Sequence, residues 1–360
     1  MNVLGIMSGT SMDGIDLALC SVDQTGDSWN VEILKAITLP YNETWRVRLS
    51  QLKYQNPEVY VRTDVFYGRY LGELALAFQK ETGLTIDLIA SHGHTIFHQP
   101  QKWITAQVGD GATLYGTCGI PTVSNFRRAD VAAGGQGAPL VTLGDELLFS
   151  EYDVCLNLGG FCNASLKTDS GRLSFDIAPC NIILNRLARE RKLKYDEGGQ
   201  IAEAGNIIYP LLEQLNAIAY YRKSAPKSLG REWINKEFWH LVRDYDESPL
   251  EDRMKTLVMH IATQIAVALE THSNKPLEEL KILVTGGGAF NETLMDYIKS
   301  ETDAQIVVPD SQLIQYKEAM IFALLGAMRV KNVINISGST TGASRSVIGG
   351  SLEGDFSKIL

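Results

Sequence analysis

Three apolar segments of this chain each run directly into a turn of glycine and small polar residues. The segments are residues 3–7, 154–158 and 282–285, and the turns after them are residues 8–14, 159–160 and 286–288. Glycine lets a backbone approach a ligand closely, and successive amide groups in such a turn can point at one anion. Strands that end in turns of this kind predict an α/β chain that binds an anionic group such as phosphate.

The first of these turns carries the most functional groups. Ser8, Thr10 and Ser11 offer hydroxyl donors, and Asp13 and Asp16 offer carboxylates for a cation or its water shell. An apolar run over residues 15–22 follows, so we expect a β-hairpin. No Gly-Lys-Ser/Thr follows as in a P-loop, and no helix follows as in a dinucleotide-binding fingerprint. An ordinary turn between two strands is the alternative.

Composition limits the class of protein and of partner. The net charge is −9 and the pI is near 5.3, which argues against nucleic acid or an anionic membrane as the main partner. Asp13 and Asp16 interrupt the first apolar stretch, unlike a secretory signal, and no apolar run is long enough to span a bilayer. The five cysteines form no CxxC pair, which favours buried free thiols. We expect a cytoplasmic globular protein.

Hydrophobic periodicity predicts the remaining elements. Helices are expected over 42–55, 64–82, 112–118, 182–191, 252–271, 292–300 and 317–330, with one more ending near residue 219, and strands over 31–39, 86–90, 122–125, 173–177 and 306–308. The Gly/Ala-rich residues 125–139 are the expected linker between domains. The turn in residues 154–165 echoes the first hairpin, which predicts an internal duplication.

Several polar residues follow predicted strands, where α/β proteins place ligand groups. Asp176 lies near a strand end before a helix, which is a common place for a general base and equally for a helix cap. His92, His94 and His98 are expected to bond a polar ligand rather than a metal, although a structural histidine among them is an alternative. Arg127 or Arg128 could bind a carboxylate or phosphate, or be solvated on a hinge.

Eight short motifs follow one another along the chain, at residues 7–16 (MSGTSMDGID), 91–95 (SHGHT), 108–111 (VGDG), 126–130 (FRRAD), 132–139 (AAGGQGAP), 156–160 (LNLGG), 226–228 (PKS) and 286–291 (GGGAFN). Taken together, they resemble those of the bacterial anhydro-N-acetylmuramic acid kinases, a family of the actin/hexokinase/Hsp70-like class. It implies an α/β, two-domain actin-like ATPase (ribonuclease H-like) fold with the nucleotide in the interdomain cleft. Domain 1–128 would carry phosphate loop one, and domain 129–360 phosphate loop two, with its tail packing back on the first.

The resemblance also implies a reaction. The family adds water across the anhydro bridge of 1,6-anhydro-N-acetylmuramic acid and uses ATP to phosphorylate O6, giving N-acetylmuramic acid 6-phosphate and ADP. Asp176 matches the family's base, and Asp13 or Asp16 would lie near Mg²⁺. The residues matching its ATP-binding turns are Gly9, Thr10, Ser11, Met12, Asp13, Gly14, Ile15, Asp16, Gly159, Gly160, Gly286, Gly287 and Gly288. The expected substrate contacts are His92, Arg127, Asp130 and Glu318.

One motif departs from the family pattern. The family reads Phe-Asp-Thr-Gly-Pro-Gly-Asn, whereas this chain has Ile177, Ala178 and Cys180 in place of the threonine and the two glycines, and Asn185 stands where an aspartate is common. We expect Asp176 to keep the chemistry and the bulkier residues to bear on substrate fit. The alternatives are an ordinary sugar kinase and a non-catalytic nucleotide-binding regulator. The partner is expected to be a small amino sugar, and the oligomeric state is open, a homodimer included.

Overall fold

The computed structural model describes residues 1–9, 12, 14–169 and 171–359. They form two compact units, one of Met1–Leu148 with Tyr316–Leu360 and the other of Phe149–Gln315. The boundary expected after residue 128 thus lies inside the first unit. The reason is local packing, since the Asp130 carboxylate is bonded by Thr341 of the tail and Gly144 lies against Ile321.

The helices and strands follow each other closely along the chain. The strands are β1 (Asn2–Ser8), β2 (Gly14–Thr25), β3 (Ser28–Pro40), β4 (Leu88–Gln99), β5 (Ile104–Val108), β6 (Thr122–Ser124), β7 (Val154–Leu158), β8 (Phe161–Thr168), β9 (Gly171–Pro179), β10 (Lys281–Thr285), β11 (Gln305–Val307) and β12 (Ser351–Glu353). The helices are α1 (Glu43–Gln51), α2 (Pro57–Thr82), α3 (Gly111–Cys118), α4 (Arg128–Ala132), α5 (Val141–Leu148), α6 (Asn181–Ala188), α7 (Gln200–Glu203), α8 (Tyr209–Asn216), α9 (Arg231–Trp233), α10 (Trp239–Arg243), α11 (Leu250–His272), α12 (Glu292–Thr302), α13 (Ser311–Val330) and α14 (Gly338–Thr341).

The two units repeat one sheet topology. In the first, the order is β12-β6-β4-β1-β2-β3, with β5 paired to β4. There β1 is antiparallel to β2 and parallel to β4, β2 is antiparallel to β3, and β4 is parallel to β6. In the second, β11-β10-β7-β8-β9 has the same directions at the corresponding places. The duplication and the N-terminal hairpin predicted from sequence are therefore confirmed, and the fold is the α/β ribonuclease H-like type.

Each sheet buries an apolar layer against long helices. In the first unit, Leu4 and Ile6 of β1 and Leu71 of α2 lie in one fully buried cluster. The helix α2 begins at an Asn56 cap whose side chain accepts from the Val59 amide, and it ends at Gly83 with φ 68°. In the second unit, α11 supplies apolar residues along most of its length to the cluster around β7 and β10. These layers fix the strand ends that carry the polar residues.

Two sequence predictions of secondary structure are wrong. Residues 91–95, which the predicted strand over 86–90 leaves out, continue β4, because their backbone pairs with β1 and β5. The helix expected to end near residue 219 is broken into α7 and α8. Gly205 lies so close to the Glu251 backbone that a Cβ would be 2.1 Å from its carbonyl oxygen, and Pro210 opens the next helix. Among the described residues, no helix has the length and apolar character needed to cross a membrane.

We predict that the buried ion pair of the first unit contributes strongly to its stability. Lys317 Nζ lies 2.8 Å from Asp145 Oδ1, and both side chains are nearly inaccessible. The substitution Lys317→Ala leaves a buried carboxylate without its cation, so the free energy of unfolding should fall by about 3–5 kcal/mol. Chemical denaturation measures this change.

The matched control is Arg69→Ala, which removes an exposed pair with Glu73 in the same unit. Its expected cost is below about 1 kcal/mol. Equal losses in the two variants would contradict the assignment of a stabilising role to the buried pair.

Candidate functional site

The first turn connects β1 and β2 at the C-terminal end of β1. Of its predicted residues, Thr10, Ser11 and Asp13 lie outside the part of the chain that the structure describes. The Met12 amide donates to the Gly9 carbonyl at 3.3 Å, and Met12 has φ 64°. Gly14 and Ile15 open β2, and the Ile15 side chain is buried in the core. Between the two strands, the described part of this turn thus consists of Gly9 and Met12.

Asp16 is the described carboxylate nearest that turn. It pairs with Met7 across the hairpin, and its Oδ1 accepts a hydrogen bond from Thr38 Oγ1 at 2.7 Å. Asp16 also interacts electrostatically with Glu318, which lies about two turns into α13. Burial, which outweighs the neighbouring Arg127 guanidinium, raises the pKa of Glu318 above its ordinary value, and the Asp16 charge raises it further.

Ser8 belongs to a buried polar cluster that sequence reasoning did not find. Its Oγ lies 2.9 Å from His94 Nδ1, and Tyr67 donates its hydroxyl to the same oxygen at 3.0 Å. Tyr41 bonds both Ser8 and Tyr67. Burial lowers the pKa of His94 to about 4, so its ring is neutral near pH 7. These hydrogen bonds hold the C-terminal end of β1 in place. In the sequence, the members of the cluster that could have indicated it are Tyr41 and Tyr67, which lie in two separate segments.

An irregularity in β4 sets the direction of His92. Ile6 pairs with Ser91 but Ser8 pairs with His94, so β4 carries an extra residue, and Gly93 there has φ 69°. His92 Nδ1 bonds the Gly93 carbonyl at 2.8 Å, and its Nε2 accepts from Arg127 Nε at 3.0 Å and from Nη2 at 2.9 Å. Burial and the Arg127 charge lower the pKa of His92, which keeps Nε2 free to accept.

Arg127 and Asp130 hold the Gly-rich loop that follows α4. Arg127 Nη1 donates to the Gly137 carbonyl at 2.5 Å, and burial lowers the pKa of Arg127 to about 10, so it stays charged at neutral pH. Asp130 is fully buried, and its two oxygens accept from the Gly137 amide at 2.7 Å and from Thr341 Oγ1 at 2.6 Å. Its carboxylate is directed into the protein, which differs from the substrate contact expected from sequence.

The three histidines of the SHGHT region do not converge. His94 faces Ser8 and His92 faces Arg127, while the exposed His98 places Nδ1 3.1 Å from Thr105 Oγ1. Over the described part of the chain there is no group of three or more His, Cys, Asp or Glu side chains placed to hold a metal ion. Asp16 is nevertheless a described carboxylate beside the first turn, and Mg²⁺ is commonly bound by one or two carboxylates when nucleotide phosphates supply further ligands.

In the second unit, two glycine turns pack against each other. Gly286 has φ 83°, and a Cβ on it would lie 2.4 Å from Asn157 Oδ1 of β7. A Cβ on Gly288 would lie 2.6 Å from Leu158 Cβ. Asn181 at the start of α6 donates from Nδ2 to the Leu158 carbonyl at 2.8 Å. The predicted residues of phosphate loop two and of the adenosine-side turn are thus neighbours.

The β7–β8 turn presents its outer side to solvent. The Gly159 carbonyl accepts from the Asn181 amide, and the Gly160 carbonyl accepts from the amides of Cys180 and Ile182. A Cβ on Gly160 would meet nothing closer than Ile182 Cβ at 4.0 Å, so the fold itself does not require glycine there. Such a position leaves room for a ligand to approach the backbone.

Asp176 lies on the edge strand β9 of the same unit. Its Oδ2 accepts from the Leu229 amide at 2.8 Å, its amide donates to the Lys227 carbonyl at 2.9 Å, and its carbonyl accepts from the Tyr220 hydroxyl at 2.7 Å. Burial raises the pKa of Asp176 to about 6, against the opposing effect of the Leu229 hydrogen bond. A carboxylate with a pKa near neutrality is suited to general-base work.

The residues that depart from the family motif face away from solvent. Ile177, Ala178 and Cys180 are each at most 1% exposed and belong to the core of the second unit. Because these side chains pack in the core, they are not placed to contact a substrate directly, and the expected effect on substrate fit has no support in their positions. Asn185, on α6, stays half-buried.

Comparison with known proteins gives a consistent family. The family model for anhydro-N-acetylmuramic acid kinase matches residues 1–354. The kinase of that name from Bacillus cereus (strain ATCC 10987 / NRS 248) is 31% identical over 378 residues, covering 98% of each chain. The one from Francisella tularensis subsp. novicida is 32% identical over 371 residues, covering 97% of each.

One solved structure has a weaker likeness. The activator of the 2-hydroxyisocaproyl-CoA dehydratase from Clostridium difficile, with bound ADPNP, aligns with 94% of this chain and 100% of its own at a TM-score of 0.45 and 13% identity. The family model and the two sequence relatives carry the assignment without it. With a match that extends over nearly its whole length, the chain belongs to the anhydro-N-acetylmuramic acid kinase family.

Proposed function

We propose that this protein is an ATP-dependent kinase that opens 1,6-anhydro-N-acetylmuramic acid with water and phosphorylates O6. The products are N-acetylmuramic acid 6-phosphate and ADP, in the recycling of peptidoglycan. The observation that carries the proposal is the family match over residues 1–354, together with a half-buried carboxylate at the position of the family's base. An acidic chain of this kind needs local groups, not a global field, to hold an anionic nucleotide.

Asp176 is the proposed general base. Its carboxylate takes a proton from the water molecule whose oxygen attacks the anomeric carbon. The bond from that carbon to O6 breaks, O6 takes the γ-phosphoryl group of ATP, and ADP leaves. The Leu229 amide holds one oxygen of the carboxylate at 2.8 Å, which orients the group before substrate arrives.

The glycine turns are the proposed ATP contacts. Gly159 and Gly160 would bring backbone groups to the phosphates, and Gly286 to Gly288 would line the adenosine side. In the first unit, Gly9 and Met12 offer backbone groups, and Asp16 is the described carboxylate suited to Mg²⁺. Bound Mg²⁺ would neutralise phosphate charge during the transfer.

The sugar contacts are proposed at Arg127 and Glu318. The two side chains interact electrostatically, and His92 supports the Arg127 guanidinium through two hydrogen bonds. A guanidinium held in this way is preorganised to bind a carboxylate such as the lactyl group of a muramic acid. We assign His92 and Asp130 to the support of this arrangement, because their polar atoms are already bonded within the protein.

We predict that Asp176→Asn strongly reduces sugar-dependent ADP release. Removing a general base should lower kcat by about 10²- to 10⁴-fold, while ATP affinity stays near that of the wild type. The measurement is ADP release from Mg-ATP and the anhydro sugar, with the product sugar identified by mass. Turnover of N-acetylmuramic acid itself would favour an ordinary sugar kinase, and ATP binding without sugar-dependent release would favour a regulator.

The pH dependence gives a second prediction. A carboxylate accepts a proton only when ionised, so kcat/KM should fall below about pH 6, where Asp176 becomes protonated. The decline should approach tenfold per pH unit on the acid side. A flat profile between pH 5 and pH 8, checked against the stability of the enzyme at each pH, would contradict the role of Asp176.

We predict that Gly160→Ala weakens ATP binding without harming the fold. The new methyl group meets no protein atom closer than 4.0 Å, but it would occupy the space next to the phosphates. A rise of about tenfold in the KM for ATP corresponds to about 1.4 kcal/mol. The control is Gly116→Ala on α3, where a Cβ also meets nothing within 4 Å. An unchanged KM in Gly160→Ala would remove this turn from the ATP site.

A further inference from the structure

We propose that residues 220–229, here called the strap, position Asp176 for catalysis, with Tyr220 and Lys227 as positioning residues. This inference rests on the proposed function of Asp176. It concerns a segment that the resemblance marked only as a motif, Pro226-Lys227-Ser228, without a role.

The strap bonds three polar groups of Asp176. Because β9 is an edge strand, the backbone N–H and C=O of Asp176 have no further strand beside them. The Lys227 carbonyl accepts the Asp176 amide at 2.9 Å, and the Tyr220 hydroxyl donates to the Asp176 carbonyl at 2.7 Å. The Leu229 amide completes the set at Asp176 Oδ2. Two backbone groups and one side-chain oxygen are thus held from one segment.

Lys227 links the two ends of the strap to each other. Its Nζ donates to the Tyr221 carbonyl at 3.2 Å and to the Tyr220 carbonyl at 3.5 Å, and it lies 4.9 Å from the centre of the Tyr220 ring. These contacts tie the Tyr220 end of the strap to the end that carries Leu229. An ammonium group over an aromatic face and two carbonyls is held in one place, which fixes the Tyr220 hydroxyl in turn.

The strap is anchored to α11 by a buried network. The Tyr221 hydroxyl donates to His260 Nε2 at 2.9 Å, and His260 Nδ1 donates to Asn216 Oδ1 at 2.6 Å. Gln264 donates to the same Asn216 oxygen. Burial lowers the pKa of His260 to about 3, so the ring stays neutral near pH 7. A neutral ring has one nitrogen that accepts and one that donates, as this network requires. An anchored segment can restrain Asp176, whereas a free loop could not.

The bulge next to Asp176 explains why restraint is needed. Asn163 pairs with Asp176 but Cys162 pairs with Ala178, so Ile177 is the extra residue of β9. A bulge re-aims the neighbouring side chain and interrupts the ladder. The strap restores hydrogen bonding on the outer side at the same place.

The strap should therefore tune the ionisation of Asp176. The carboxylate accepts a hydrogen bond from the Leu229 amide. The titratable groups that interact with it electrostatically are Tyr220 of the strap and Cys162 of β8. Both are neutral near pH 7, because burial raises the pKa of each. The Leu229 hydrogen bond stabilises the ionised form, so loosening the strap should raise the pKa of Asp176.

The test compares Tyr220→Phe with Tyr245→Phe. Tyr245 also lies in the second unit and bonds Gln214 through its hydroxyl, but it is not part of the strap. The carboxyl resonances of ¹³C-labelled aspartate are followed with pH, and Asp176→Asn identifies the signal. Loss of the Tyr220 bond to the Asp176 carbonyl should weaken the Leu229 bond to the carboxylate, so we expect Asp176 to titrate up to about one unit higher in Tyr220→Phe and unchanged in Tyr245→Phe.

Kinetics then separate positioning from stability. In Tyr220→Phe, the acid limb of kcat/KM should shift by the same amount and kcat should fall, while the KM for ATP stays constant. Lys227→Met, which removes the ammonium group but keeps a long unbranched side chain, should move the Asp176 titration in the same direction. An unshifted Asp176 signal in folded Tyr220→Phe and Lys227→Met would overturn the proposal.

The titration needs no substrate, so it separates this inference from the proposed function. A shifted Asp176 signal in a protein that releases no ADP with the anhydro sugar would support the strap and reject the proposed reaction. An unshifted signal in an active enzyme would support the reaction and reject the strap.

Discussion

The close approach of α13 to the first sheet is the contact that the first unit's polar residues depend on. A Cβ on Gly5 would lie 1.9 Å from the Ala319 carbonyl oxygen, and one on Gly326 would lie 2.5 Å from Ala90 Cβ. The helix can therefore lie against β1 and β4 only because these two positions have no side chain. Glu318 precedes Ala319, so its carboxylate is brought to the ends of the same strands. The same backbone packing that brings α13 against the sheet therefore also determines where the Glu318 carboxylate lies.

A shared feature of both sheets is an irregularity where the functional residues leave the strand. In β4 the extra residue lies beside Gly93 and directs His92 to Arg127. In β9 the extra residue is Ile177, directly after Asp176. Bulges turn a side chain without ending the strand, which lets a rigid element carry a precisely aimed group. The two bulges lie on strands that do not correspond in the duplicated topology, since β4 matches β10 and β9 matches β3, so each unit places its group separately.

Much of the fold could be predicted from sequence, because periodicity and turn chemistry are local signals. The hairpin at residues 2–25 and the helix α11 are examples of strong local patterns that the structure confirms. The unit boundary could not be predicted in the same way. Residues 125–139 have the composition of a linker, but the buried Asp130 carboxylate binds them to Thr341, more than 200 residues later in the chain. Composition carries no information about such a distant partner.

Within the site, sequence reasoning identified residues but not their partners. Asp176 could be found from its position at a strand end, whereas the Tyr220 and Leu229 contacts that hold it come from a segment about 50 residues away. His92 was expected to meet substrate, yet its two ring nitrogens are bonded within the protein. Hydrogen-bond saturation is a property of the folded chain, and it separates groups that are free to bind from groups that support them.

The same distinction explains how the motif around Asp176 tolerates its unusual residues. Ile177, Ala178 and Cys180 lie in the core, so they change which atoms fill the second unit. The parts of the motif that touch the β7–β8 turn are backbone amides and the Asn181 side chain. A cysteine amide donates to the Gly160 carbonyl as well as a glycine amide would. We infer that the function of this region requires the Asp176 carboxylate, the Asn181 side-chain amide and the path of the backbone. Its remaining side chains are constrained by how they pack in the core.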